Sequence, residues 1–371
     1  MKGLRESPEL GSHAQLDMAA EWTPKYDAYV QQEDTMKAMV LESLAPLERS
    51  PVQLRERSEP TAGAGQIVIR VHACGVCRSQ LHMIEGEWES RGVPAMLPII
   101  PGHEVVGTIV ELGPGVEGLA LGERVGAQPL WSCCGRCVYC LTAHENLCTN
   151  KEMAGETVDG GFAEYMLVNA EHLYRVPESL GDAEAAPLFC PGLAAYGAVV
   201  KAGLSPGASV AVFGVGGVGH LVVQLALLTG AEVTAIDRQS QHLELAEQLG
   251  AHRVVDASGG NVEKEFAVRG RVDAAIVFAP SDAVVRQAVA VLKPGGIAVL
   301  GVSAQVGEWS FDEKRLVSTA LGPRHQMHEV LQVAGEGKLR VFYEAFALED
   351  APVALARLKA DTLQARAVLV A

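Results

Sequence analysis

Between Val210 and Leu227 the chain reads VAVFGVGGVGHLVVQLAL. An apolar, β-branched run leads into Gly214, Gly216 and Gly219 in the order G-x-G-x-x-G, with Gly217 and Val218 completing the turn, and an uninterrupted helical pattern follows. The first glycine permits a tight turn and the second lets backbone approach a pyrophosphate. The third lets the helix pack closely on the strand, and the helix N-terminus then faces the anion. Asp237 closes the next apolar run, EVTAID, 23 positions after Gly214. A carboxylate there accepts hydrogen bonds from the adenosine ribose and repels a 2′-phosphate. Arg238 follows it and would tolerate a phosphate, and a turn-capping role is the alternative for Asp237. The reading is a dinucleotide site that prefers NAD over NADP.

Downstream the same texture recurs. SVAVFGV, EVTAID, VDAAIVF and GIAVLGV alternate with helical stretches of about 10 to 15 residues, which implies βαβ units on a parallel sheet. Upstream, from Gln66 to Leu173, segments such as QIVIRVHACGV and HEVVGTIVELG are short, Val/Ile-rich and bounded by glycine, as in an irregular β domain. The terminal run RAVLV suits a strand returning to that first domain. The expected fold is therefore α/β, a β-rich domain at 36–190 completed by 323–371, and a doubly wound Rossmann domain at 191–322. Residues 1–35 hold three basic and seven acidic side chains without sustained period, and read as a poorly ordered extension or a segment docking on a partner subunit.

Of 371 residues, 49% are hydrophobic and 20% charged, enough apolar material for packed cores. Asp plus Glu outnumber Lys plus Arg by 45 to 30, a net charge of −15, and no basic run appears, which argues against nucleic-acid binding. Ala202 to Ala231 lacks charge, but Pro206, the glycines, His220 and Gln224 mark it as a buried strand and helix and not a membrane span. No signal-peptide pattern opens the chain, and a cytoplasmic protein is expected.

Five of the eight cysteines fall between Cys133 and Cys148. Cys134, Cys137, Cys140 and Cys148 form C-x2-C-x2-C-x7-C, and four thiolates so spaced close a tetrahedral Zn²⁺ site with no open position, which makes it structural. An iron–sulfur cluster takes similar ligands, but the usual bacterial spacing and trailing proline are absent. Cys77 in GVCRSQLH, His103 and Glu104 in PGHEVVG, and Cys190 in APLFCPGL are each unremarkable alone. Two Cys and one His nevertheless make up the donor set of a catalytic zinc with a free fourth position. Spacing alone does not show that they converge.

These pieces, with GGFAEY and the terminal RAVLV, occur in order from Met36 to the end, and the chain resembles the zinc-dependent medium-chain alcohol dehydrogenases, whose first domain is GroES-like. The resemblance implies reversible hydride transfer between a small primary or secondary alcohol or aldehyde and NAD. It implies two Zn²⁺ per chain, the catalytic one on Cys77, His103 and Cys190 with Glu104 entering or approaching its shell. Ser79 would take the alcohol proton and His82 relay it outward. Arg78 and Arg366 would contact the pyrophosphate, Val302 the cofactor, and Trp88 and Trp131 the substrate. A homodimer or homotetramer is implied, with neither nucleic acid nor membrane as a partner. Gln80 stands where such enzymes carry an aspartate behind the histidine ligand, and Ala194 where a hydroxyl residue lies near the nicotinamide. The rival readings are an NADPH-dependent aldehyde reductase of the cinnamyl-alcohol-dehydrogenase type and, from another class, a redox sensor without turnover.

Overall fold

The computed structural model describes residues 34–260, 262–306 and 312–370. The extension read at 1–35 lies, up to residue 33, outside the described residues. Strand Thr35–Leu41 begins the described chain, one residue ahead of the expected start, and pairs antiparallel with Val52–Ser58.

Six strands form one parallel sheet. In space their order is Arg253–Asp256, Glu232–Asp237, Ser209–Phe213, Val272–Val277, Leu292–Leu300, Arg315–Ser318. Numbered by sequence that is 3-2-1-4-5-6, the doubly wound arrangement in which the strand order reverses beside the first strand. Alternate side chains enter two different cores. Val210, Val212, Ala274 and Ile276 pack with helices Pro191–Ala202 and Gly219–Leu228, whereas Ala211, Phe213, Ala275 and Val277 pack with Phe266, Val285 and Ala288. A two-residue period with both faces apolar requires helices on both sides, which is why these strands read as unbroken hydrophobic runs.

A second, mixed sheet is built around Gln66–Gly75, which pairs antiparallel with Val105–Leu112, Tyr165–Asn169 and the last strand, Arg366–Val370. Arg124–Ala127 and Leu173–Arg175 extend one side, and Tyr343–Ala347 lies parallel to the last strand. Ile67, Ile69, Val71, Ile109, Val125 and Leu369 fill its interior. Each such side chain contributes about 1.5–3 kcal/mol on burial.

Residues 202–231 resolve into strand Ser209–Phe213 and helix Gly219–Leu228, both buried, so their lack of charge belongs to a core. Among the described residues no single helix is long and apolar enough to cross a membrane.

Candidate active site

The chain ends of three elements meet in one cluster. Cys77 precedes helix Arg78–Ile84, His103 and Glu104 immediately precede strand Val105–Leu112, and Cys190 precedes helix Pro191–Ala202. Pro191 suits the first helical turn, where its missing N–H costs nothing, and Gly203 in the left-handed region ends the same helix. The metal-ligating atoms of Cys77, His103, Glu104 and Cys190 all lie within 4.8 Å of one another. The two sulfurs are 3.8 Å apart. Nε2 of His103 is buried beside them with no hydrogen-bond partner. A buried imidazole nitrogen is not normally left orphaned, and two soft thiols with an imidazole are the donor chemistry of zinc. The residues therefore fit a zinc ion.

Electrostatics sharpen this picture. The hydrogen bond between the two sulfurs holds Cys77 well below the ordinary thiol range while Cys190 stays high; burial works against the Cys77 charge and Arg366 supports it. Glu104 is fully buried and pushed up to about 7 by that burial, against the pull of Arg366. Burial alone would lower His103, but Cys77, Glu156 and Glu104 outweigh it and raise it. On the other side of the ring, Gln80 Nε2 lies 3.0 Å from His103 Nδ1 and Gln80 Oε1 accepts the Gly102 N–H at 2.9 Å. Glu156 Oε1 is 3.7 Å from the same Nδ1.

The Ser79 hydroxyl is buried without a partner. His82, three residues on along the same helix, bonds through Nδ1 to Glu87 Oε2 at 2.7 Å and stacks on Trp88 with ring centroids 5.5 Å apart. Arg91 lies over Trp88, 5.8 Å from the ring centroid. Trp131 is the second aromatic expected at the substrate. Its strand, Leu130–Ser132, pairs with Glu152–Met153 and its indole N–H donates to Leu167 O. The residue lines a cavity of about 320 Å³ together with Met36, Arg57, Ile100 and Tyr165.

Cys134, Cys137, Cys140 and Cys148 also bring their sulfurs within 4.8 Å of one another, while Cys133 stays outside the group. Cys137 and Cys140 sulfurs are 3.5 Å apart, and Cys148 Sγ accepts the Cys134 N–H. Backbone N–H groups of Arg136 and Cys137 bring the Cys134 thiol down to about 6, a polarity that suits a metal-bound thiolate.

At the glycine turn, Gly214 takes φ +87°, and a Cβ on Gly219 would lie 1.8 Å from Gly214 O, so neither position accepts a side chain. Gly216 faces the His242 ring and Gly217 faces Arg366, while Val218 precedes the helix. Asp237 closes the turn: Oδ2 accepts the Val215 N–H at 2.7 Å, and Oδ1 accepts those of Arg238 and Gln239. Burial would raise its carboxyl, but His242 and these N–H groups hold it below the usual range. The capping role weighed for Asp237 is thus present, and Oδ2 keeps a lone pair for a further donor. Arg238 is exposed and paired with Asp361 at 2.8 Å. Arg78 bonds Leu358 O, and Val302 packs on the sheet's second core. Arg366 is buried between the two sites, its guanidinium on Glu104 and within reach of Gly217. Three side chains that no motif announced complete the arrangement: Glu87, Glu156 and His242.

Residues 63–178 match the family described as the alcohol dehydrogenase GroES-like domain, and residues 217–335 the zinc-binding dehydrogenase family. An alcohol dehydrogenase of Geobacillus stearothermophilus is 38% identical over 341 residues, spanning 90% of this chain and 99% of the relative. Among solved structures, the alcohol dehydrogenase of Aeropyrum pernix superposes with a TM-score of 0.84 at 33% identity, covering 90% of this chain and all of the other. A cobalt- and zinc-bound thermostable alcohol dehydrogenase from Pyrobaculum aerophilum gives 0.82 at 27% identity over 91% and 100%.

Proposed function

Because the chain belongs to the zinc-dependent medium-chain alcohol dehydrogenase family, we propose that it oxidises a primary or secondary alcohol with NAD and runs the reverse reduction with NADH. One observation carries the reading: Cys77, His103 and Cys190, drawn from positions up to 113 residues apart, present two sulfurs and an orphaned Nε2 to a common point. Cys77, His103 and Cys190 would hold a zinc ion, which would supply Lewis acidity toward the substrate oxygen, and the Gly214–Gly219 turn would hold a nicotinamide cofactor, which would supply the hydride acceptor.

The chain's own groups handle the proton. The Ser79 hydroxyl, buried without another partner, accepts it from the alcohol as its own O–H proton passes on along the relay. His82 lies on the same helical face three residues on and leads it outward, with Glu87 Oε2 on its Nδ1. Trp88, stacked on His82, forms an apolar wall for the substrate. Arg366 and Arg78 hold the pyrophosphate, Val302 flanks the cofactor, and Asp237 takes the ribose hydroxyls and sets the preference for NAD. The NADPH reading draws support from the exposed Arg238 guanidinium next to Asp237, although Asp361 already engages it.

The remaining parts of the proposal are a second, structural zinc on Cys134, Cys137, Cys140 and Cys148, a catalytic domain at 36–190 with 323–371, a cofactor domain at 191–322, and a cytoplasmic homodimer or homotetramer. Reduced thiols in both clusters suit that compartment. Titrating NAD and NADP separately against ethanol and benzyl alcohol tests the reading. Turnover with NAD at a kcat/KM at least 10-fold above NADP is expected, and the reverse ratio would transfer the assignment to an NADPH-linked reductase.

A further inference from the structure

The hydrogen bonds behind His103 contain a conflict that a metal ion would expose. Gln80 Oε1 is committed to the Gly102 N–H at 2.9 Å, so the group it turns to His103 Nδ1 at 3.0 Å is its NH₂. Nδ1 must then accept, which puts a neutral ring's single proton on Nε2, the atom facing the sulfurs. A neutral imidazole that ligates through Nε2 carries its proton on Nδ1 and needs an acceptor there. Gln80 can offer one only by turning its NH₂ against the Gly102 N–H.

Among the described residues, the carboxylates facing this ring are Glu104 on the Nε2 side, at 4.0 Å, and Glu156 on the Nδ1 side, at 3.7 Å. Glu156 is held there by a tight turn. Its N–H donates to Met153 O and its C=O accepts from the Ala95 N–H. Gly155 before it takes φ +69°, and a Cβ on Gly155 would lie 2.6 Å from Gly102 N and 3.0 Å from Gln80 Oε1. The turn is therefore seated directly on the backbone that presents His103. A shift of about 1 Å by the Glu156 side chain converts the 3.7 Å separation into a hydrogen bond.

We propose that Glu156 is the positioning carboxylate of the His103 ligand: when a metal ion takes Nε2, the Nδ1–H donates to Glu156, and Gln80 serves to fix the Gly102 backbone. The proposal rests on the zinc reading of the same cluster and adds to it a residue 53 positions from His103 that no motif indicates.

The test is metal binding, not turnover alone. Wild type, Glu156→Gln, Gln80→Asp and the double variant are titrated with zinc against a graded chelator, and cobalt-loaded samples are followed by visible absorption. Two metals per wild-type chain are expected. In Glu156→Gln the catalytic-site affinity should fall about 10- to 100-fold with the four-cysteine site unchanged, and Gln80→Asp in that background should restore most of the loss by returning an acceptor to Nδ1. An unchanged affinity in Glu156→Gln overturns the proposal alone. So does an equal loss at both sites that Gln80→Asp does not repair, since that is a folding defect. A wild type that binds a single metal overturns the proposal together with the zinc reading beneath it.

Discussion

Arg366 grips Glu104 with both arms of its guanidinium, Nε on Oε2 at 3.2 Å and Nη2 on Oε1, with both side chains buried. Bidentate geometry of this kind is the strong form of an ion pair. Burial works against the arginine's charge, but Glu104 and the Cys77 sulfur raise its basicity further still. The pair ties the residue beside His103 to the residue over Gly217, so it links the Cys77–His103–Cys190 cluster to the glycine turn.

Truncating Arg366 to Ala should therefore cost stability as well as cofactor affinity. Removing one partner of a buried pair leaves an uncompensated charge, worth about 3–5 kcal/mol. Without Arg366 the Glu104 carboxyl rises above the value of about 7 it has in the pair, so urea unfolding should show a deficit that grows as pH climbs past 7 and a small one toward pH 5, where the carboxyl is neutral in both proteins. A deficit independent of pH would mean that lost packing, not charge, dominates.

Asp237 caps the glycine turn and, in the proposed function, also takes the ribose hydroxyls. Asp237→Asn keeps the shape and removes the charge, so kcat/KM for NAD should fall about 10-fold, or 1.4 kcal/mol, while the NADP value rises. Steady-state kinetics with both cofactors decide it. An unchanged ratio would leave Asp237 with the capping role alone.

His220 is buried and its pKa is pushed down to about 4 by desolvation. Nδ1–H donates to Gly216 O and Nε2 accepts the Phe342 N–H, so the neutral ring joins the glycine turn to the chain's C-terminal part. Its folded pKa lies below the unfolded value near 6.5, so the unfolded chain binds the extra proton between those limits. Stability should fall as pH drops from about 6.5 to 4, by on the order of 3 kcal/mol for this group. Asn in its place keeps one donor and one acceptor but does not titrate, and His220→Asn should flatten that slope in thermal melts across pH 4 to 7.

The four-cysteine loop should behave as a separate module. Cys140→Ser is expected to lose one of two bound zinc ions and lower Tm by several degrees, because a structural site contributes folding energy directly. Metal analysis and calorimetry on the same sample check this.

How much was legible in the sequence followed the range of the interaction. The glycine turn and the four-cysteine loop are local, and their chemistry depends on spacings that the chain itself displays. Cys77, His103 and Cys190 reach one another only through the folding of three separate element ends, so their convergence was carried by family resemblance. The Glu104 partner of Arg366 lies 262 positions away, and no local spacing in the sequence indicates that pair. For Trp131 the sequence shows an aromatic beside the four-cysteine loop, but the face taken by a three-residue strand is decided by its pairing and by the Leu167 carbonyl. Glu87 and Glu156 carry no signal at all: an acidic residue in a turn is ordinary until a histidine nitrogen is found against it.

Zinc content per chain, measured on wild type and Cys77→Ala with NADH formation from the same samples, bears most directly on the central assignment. Two zinc ions and chelator-sensitive alcohol oxidation in wild type, with one zinc and no oxidation in Cys77→Ala, are the predicted results. A single zinc in wild type, or a Cys77→Ala enzyme that still oxidises alcohol, would contradict a catalytic zinc held by Cys77, His103 and Cys190.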